Sequence, residues 1–203
     1  MTEIQQLIHA VNSADAPARM VAAVEKLAAA LDEAAIPTLI AVFGYNNPGA
    51  AGVAAAGLMA LGEVAVPQLL AQIDEYNYGA RAYSIRTLAA IADPRALDVL
   101  LAAARSDFAP SVRRAAASGL GSLRWHLLDE PQRQTALELV LETLLLVSQD
   151  SDWSIRYAAI VGLQALLKIP QLYAPILARF KEMQALDADL AVCARVQLAM
   201  AKS

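Results

Sequence analysis

A single cysteine, Cys193, occurs in 203 residues, which excludes a disulfide framework and a cysteine-ligated metal centre and fits a reducing cytosol. Aromatic residues make up only 5% of the chain, too few, with the scarce β-branched residues, for a β-sandwich. Histidine is confined to His9 and His126, and neither has a visible partner in the sequence. No P-loop, glycine-rich dinucleotide fingerprint, His-Glu-x-x-His zinc motif or nucleophile elbow is present. The chain is therefore expected to bring no metal, nucleotide or other cofactor of its own.

Charge is missing from one stretch, since no Asp, Glu, Lys or Arg lies between Glu33 and Glu63. A spanning helix needs about 20 continuous apolar residues. Here Pro37 and the run Gly44-Tyr45-Asn46-Asn47-Pro48-Gly49 interrupt the pattern, so the stretch reads as two helices and a turn, without membrane insertion. The N-terminal Met1-Thr2-Glu3-Ile4-Gln5-Gln6 shows neither the basic n-region nor the apolar h-region of a signal peptide.

What is abundant is small and apolar. Hydrophobic residues reach 58%, about a fifth of the chain is alanine, and mean hydropathy is +0.42. This is the composition of a nearly all-helical protein. The net charge of −4 and pI near 5.2 work against nucleic-acid binding, including the HEAT-like DNA glycosylases, which need a basic groove. The charge is uneven: residues 75–133 hold eight arginines against six acids, and residues 1–74 hold two basic groups, Arg19 and Lys26, against seven acids. An anion-binding function belongs in the middle of the chain.

Self-comparison reveals a period. Leu27, Leu58, Leu88, Leu120, Leu163 and Leu198 serve as anchors at intervals of 31, 30, 32, 43 and 35 residues, and such a spacing signals a solenoid. Seven residues before three of these anchors an apolar residue, an arginine and small residues recur, at Ala80-Arg81-Ala82, Val112-Arg113-Arg114-Ala115 and Ile155-Arg156-Tyr157-Ala158. A second helix follows each anchor. It is opened by proline at Pro37, Pro67, Pro94 and Pro175, because the first helical turn tolerates the missing N–H. The 43-residue interval predicts a lengthened connection, Trp125 to Gln134, before a long helix over Thr135–Val147. The fold class is all-α: one α-solenoid domain, residues 1–203, of about five to six HEAT-like two-helix repeats, each burying its apolar stripe against its neighbours.

The units are shorter than the roughly 40 residues of ordinary HEAT repeats. Two-helix repeats of this length with a central Ala-Arg or Val-Arg look like those of phycobilisome lyases. Tyr76-Asn77-Tyr78-Gly79-Ala80-Arg81-Ala82-Tyr83-Ser84-Ile85-Arg86, Asp93-Pro94-Arg95-Ala96-Leu97, Asp107-Phe108-Ala109-Pro110-Ser111-Val112-Arg113-Arg114 and Leu123-Arg124-Trp125 resemble the F (beta) subunits of the heterodimeric E/F phycocyanobilin lyases. The resemblance implies an enzyme active with a separate E-type HEAT-repeat subunit, attaching the linear tetrapyrrole phycocyanobilin to a cysteine of the apo phycocyanin alpha subunit. Related lyases also remove or transfer bilins. It implies a cytoplasmic setting, with the phycobilisome-bearing face of the thylakoid as one station. An isomerising relative carries a His-Cys pair where this chain has Tyr76–Arg81, so simple attachment is favoured here.

Attachment adds a thiol to the C3 ethylidene of the bilin, and protonating the conjugated pyrroles sharpens that electrophile. Such a site needs cations for the propionates, a carboxylate near the pyrrole nitrogens and aromatic cover for the ring faces. Arg81, Arg86, Arg113 and Arg114 are candidate propionate partners. Asp107 is the candidate acid, and Tyr78 is a second catalytic candidate. Tyr76, Asn77, Trp125 and Trp153 complete the pigment-binding set. Each has a structural alternative. Arg81, Arg113 and Arg156 can pair with acids of an adjacent repeat, Asp107 can cap a helix, and the tryptophans can wedge between repeats. Cys193 sits in an apolar helical pattern, as a buried inert thiol does. The functional alternative is a non-catalytic scaffold that grips phycobiliproteins.

Overall fold

Apolar residues at helical spacing, bounded by Pro and Asn/Asp turns, fold as the pattern dictates. The computed structural model describes residues 1–73 and 76–201; among these there are helices and turns and no strand. The chain divides into two units, Met1–Ile91 and Ala92–Ser203.

The first unit contains α1 (Glu3–Asn12), α2 (Pro17–Ala29), α3 (Ile36–Val42), α4 (Pro48–Leu61), α5 (Val66–Ala71) and α6 (Tyr78–Ile91). Helices α2, α4 and α6 pack in one row, while α3 and α5 touch in a second. Two-helix stacking of this kind buries a stripe that no pair could bury alone. Small residues set the spacing: a Cβ placed on Gly57 of α4 would lie 2.6 Å from that of Ala28 on α2. The segment Pro48–Ala71 is long and apolar enough, by length and composition, to cross a membrane. The chain turns within it at Gly62 (φ 71°), however, and α4 and α5 are separated by a 3-10 turn, Gly62–Ala65. These are core helices of a repeat.

The second unit contains α7 (Leu97–Ser106), α8 (Pro110–Leu120), α9 (Glu130–Val147), α10 (Trp153–Leu166), α11 (Pro170–Leu186) and α12 (Leu190–Ala201). Here α8, α10 and α12 form one row and α7, α9 and α11 the other. Leu27, Leu58, Leu88, Leu120 and Leu163 are all fully buried, as anchors should be. Leu198 is not. It is 47% exposed, and Val192, Val196 and Ala199 carry the buried face of α12 instead.

Two helix starts differ from the sequence reading. Helix α9 begins at Glu130, five residues before the expected Thr135. Asp129 accepts from the Gln132 N–H at 2.9 Å, and Pro131 sits in the first turn, where it needs no donor. The inserted residues therefore lengthen a helix, and only a 3-10 turn, Trp125–Leu127, remains of the expected loop. Helix α11 begins at Pro170, which leaves Pro175 inside the helix rather than at its start.

Candidate functional site

In the second unit, each turn between repeats ends in the same device. Asp107, Asp150 and Asp187 each accept the backbone N–H two residues on, from Ala109 (2.8 Å), Asp152 (2.9 Å) and Asp189 (3.0 Å). Those bonds fix the carboxylates at the edge of the helix row. Arg113 of α8 bonds to Asp150, and Arg156 of α10 bonds to Asp187 through Nε (2.7 Å) and Nη2 (2.8 Å). Arg156 also donates to the carbonyls of Asp150 (2.9 Å) and Ser151 (3.1 Å). The recurring arginine thus links each repeat to the next turn, as the scaffold alternative expected for Arg113 and Arg156. Asp107 occupies the same turn position as the two ladder carboxylates and serves as the C-cap residue of α7; the N-cap position of α8 falls to Ala109.

The ladder sets local electrostatics. The Arg156 guanidinium holds the Asp187 carboxyl below its usual range, and Asp187 in turn raises the Arg156 pKa. Hydrogen bonds from Arg95 lower Asp93, and the Ser154 hydroxyl and N–H lower Asp152. A carboxyl that is more acidic folded than unfolded stabilises the fold above its unfolded pKa of about 3.9 and loses that contribution as pH falls through the folded value. The urea midpoint is therefore expected to stay level from neutral pH to about pH 5 and to decline below about pH 4. Asp187→Asn should flatten that decline, measured by urea titration across this pH range.

Within each unit the turns and helix starts carry large apolar side chains where small polar residues would suffice. Tyr76 is 96% exposed and Phe108 is 73% exposed, and Tyr45, Tyr78, Trp153 and Leu190 are also exposed. Asn77 shapes the turn before α6, its Oδ1 accepting from Gly79 and Ala80 at 3.1 Å. Tyr78 opens that helix, and Arg81 in its next turn is buried. Arg86 is exposed and lies 4.6 Å from the ring centroid of Tyr83, which stacks on Phe43. These residues form the first unit's share of the candidate set. In the second unit, exposed Arg114 reaches the Ser154 hydroxyl at 3.5 Å, which brings the α8 arginine beside Trp153 at the start of α10. Phe108 belongs with them and was overlooked in the sequence; its signal is the turn position it shares with Tyr76, one residue after an acid.

Trp125 stands apart. It lies beyond the C-terminus of α8, the far end of that helix from Asp107, and lines a cavity of about 440 Å³ formed with α9 and the start of α11. His126 beside it is exposed. Cys193 is half-buried rather than buried, its thiol 3.4 Å from the Asp187 carbonyl oxygen. Among the described residues no group of three His, Cys, Asp or Glu side chains could hold a metal ion.

Paired helices stacked in rows within each unit, with an Arg–Asp ladder in the second, define a helical-repeat protein of the α-solenoid class. The HEAT-repeat family model matches residues 66–144. A designed armadillo repeat protein shares the fold at a TM-score of 0.61 and 17% identity, covering 98% of this chain and 99% of that one. The phycocyanobilin lyase subunit beta of Nostoc sp. PCC 7120 is 68% identical, over 97% of this chain and 98% of its own length. The phycocyanin alpha phycocyanobilin lyase CpcF of Synechocystis sp. PCC 6803 is 49% identical, over 84% of this chain and 80% of its own. A chain in the solved complex of CpcE and CpcF of phycocyanin lyase from Nostoc sp. PCC 7120 superposes with a TM-score of 0.82 at 72% identity, covering 83% of this chain and 99% of that one. The chain belongs to the phycocyanobilin lyase subunit beta family.

Proposed function

We propose that this chain is the beta-type subunit of a two-subunit lyase that works with an E-type HEAT-repeat partner. The pair attaches phycocyanobilin through a thioether bond to a cysteine of the apo phycocyanin alpha subunit. Detachment is the same reaction reversed, and transfer is its repetition on a second thiol. The observation that carries this reading is the 68% identity to the Nostoc beta subunit over nearly the whole of both chains.

Attachment is an addition. Sulfur bonds to the ethylidene carbon and the thiol's hydrogen ends on the adjoining ring carbon, so no oxidant and no leaving group is involved. The enzyme's work is to position the two substrates and to supply or accept protons selectively. Phycocyanobilin is the substrate, and the chain is proposed to bring no cofactor of its own. The exposed side chains Tyr76, Tyr78 and Arg86 in one unit, and Phe108, Arg114 and Trp153 in the other, are proposed to contact the substrates. Arg113 is committed to the ladder, so its proposed role is to hold the turn that presents them. Asp107 is proposed to do the same. The proposed setting is the cytoplasm, where phycobilisomes are assembled.

Reconstitution tests the reading. Apo phycocyanin alpha subunit, phycocyanobilin, this chain and an E-type subunit should together yield a covalent, red-absorbing, zinc-fluorescent product, and omission of either subunit should abolish it. Tight binding to the alpha subunit with no covalent product in any combination would favour the scaffold reading instead.

A further inference from the structure

The chemistry of a bilin site asks for three things together: a flat apolar surface for the rings, a cation for a propionate and a carboxylate for the pyrrole N–H groups. The cavity around Trp125 holds all three. Its volume of about 440 Å³ falls within the roughly 300–1,000 Å³ of small-molecule pockets, large enough for part of a linear tetrapyrrole. Trp125, Leu137, Ile169 and Leu172 supply the apolar walls, and Lys168, Arg133, Glu130 and Glu138 stand around them.

The charged groups are not equivalent. Arg133 is occupied by Glu130, three residues before it on α9. Glu138 accepts only a neutral hydrogen bond, from Gln134 Nε2 at 3.2 Å. Lys168 is exposed, and among the described residues it makes no ion pair. It sits immediately before α11, whose N-cap position is Ile169, a side chain that cannot accept a hydrogen bond. The first turn of a 17-residue helix therefore faces the cavity wall without a side-chain cap, and a carboxylate beside Lys168 would also meet its positive end.

We infer that the cavity between the 3-10 turn at Trp125, the start of α9 and the start of α11 is a pigment-holding pocket of this subunit. The ring system lies against Trp125, one propionate takes Lys168 and the first turn of α11, and Glu138 faces the pyrrole N–H groups. This rests on the lyase reading and adds to it a place for the pigment separate from the exposed turn residues of the second unit, Phe108 and Trp153. The long α9 is part of the reason it exists: the residues inserted in the 43-residue interval build one wall.

Fluorescence can test it because the chain has two tryptophans. In a full-length Trp153→Phe background, phycocyanobilin should quench Trp125 emission saturably. Lys168→Glu should weaken that binding at least about tenfold, with Lys168→Arg restoring most of it, and the pigment's dimethyl ester should bind weakly even to the unaltered chain. Glu138→Gln should leave the quenching but reduce the red shift of the bound pigment. Attachment assays of the unaltered chain with the E-type partner, run in parallel, separate the two readings. If attachment proceeds but Trp125 is not quenched, or Lys168→Glu binds as the parent does, the pocket is wrong and the lyase reading stands. If the parent chain gives no attachment with its partner, the lyase reading itself fails.

Discussion

Gly162→Ala is expected to destabilise the protein by about 3 kcal/mol and to lower its melting temperature by about 6–12 °C. Helix propensity alone gives the opposite sign, since alanine in a helix interior is worth up to about 1 kcal/mol over glycine. The packing of α8 against α10 decides the matter. A Cβ on Gly162 would run into the Ala117 carbonyl oxygen and lie 3.0 Å from Leu144 Cδ1. Across the same contact, a Cβ on Gly121 would run into the Gly162 carbonyl oxygen and lie 2.7 Å from its carbon. These obstacles are largely backbone, which cannot swing aside as a flexible side chain can. Gly121→Ala should therefore be at least as damaging. Gly52→Ala is the control: its Cβ would meet nothing within 4 Å in the middle of α4, and a gain of about 0.5–1 kcal/mol is expected. Thermal and urea melts of the three variants read the difference in sign directly.

Arg156→Ala is expected to cost about 3 kcal/mol, far more than the loss of a surface ion pair. The Arg156 and Asp187 side chains are only 16% and 6% exposed. Removing the guanidinium takes from the Asp187 carboxylate its hydrogen-bonded counter-charge, leaving only the electrostatic influence of Arg179, and also takes the donor from the carbonyls of Asp150 and Ser151. Two turns loosen at once, and one of them carries Trp153. Attachment should therefore fall along with stability. Arg19→Ala breaks an exposed pair with Asp15 and should shift the urea midpoint by less than about 0.5 kcal/mol equivalent. Equal losses from Arg156→Ala and Arg19→Ala would mean that the ladder contributes nothing special.

The repeat was legible because its physics is periodic. A buried leucine and a small-residue face recur with each helix pair, and five of the six anchors proved fully buried. Leu198 broke the pattern because the leucine period continued in sequence while the buried face of α12 falls on Val192, Val196 and Ala199. The start of α9 was hidden by the polar run from Asp129 to Gln134, which reads as a loop until the Asp129 cap and Pro131 are recognised as a helix opening. Pro175 misled for the converse reason: proline usually opens a helix, and here α11 starts a turn and more earlier at Pro170.

The candidate site was only partly legible. Arginines were visible by type, but their partners are 31–37 residues away, and pairing of that range is set by stacking rather than local spacing. Hence Arg113 could be read either as a propionate partner or as a strut, and the contact the fold gives it is the ion pair with Asp150. Trp125 was grouped with Asp107 and Arg113 because it is near them in sequence. A helix of 11 residues, about 16 Å long, separates the two ends of α8 and puts Trp125 in a cavity of its own.

The most direct measurement is mass spectrometry of the phycocyanin alpha subunit after incubation with pigment, an E-type subunit and this chain. The expected result is one bilin adduct on a single cysteine peptide, absent when this chain is left out and reduced with Arg156→Ala. An adduct formed on the same cysteine to the same extent without this chain would contradict its place in the lyase.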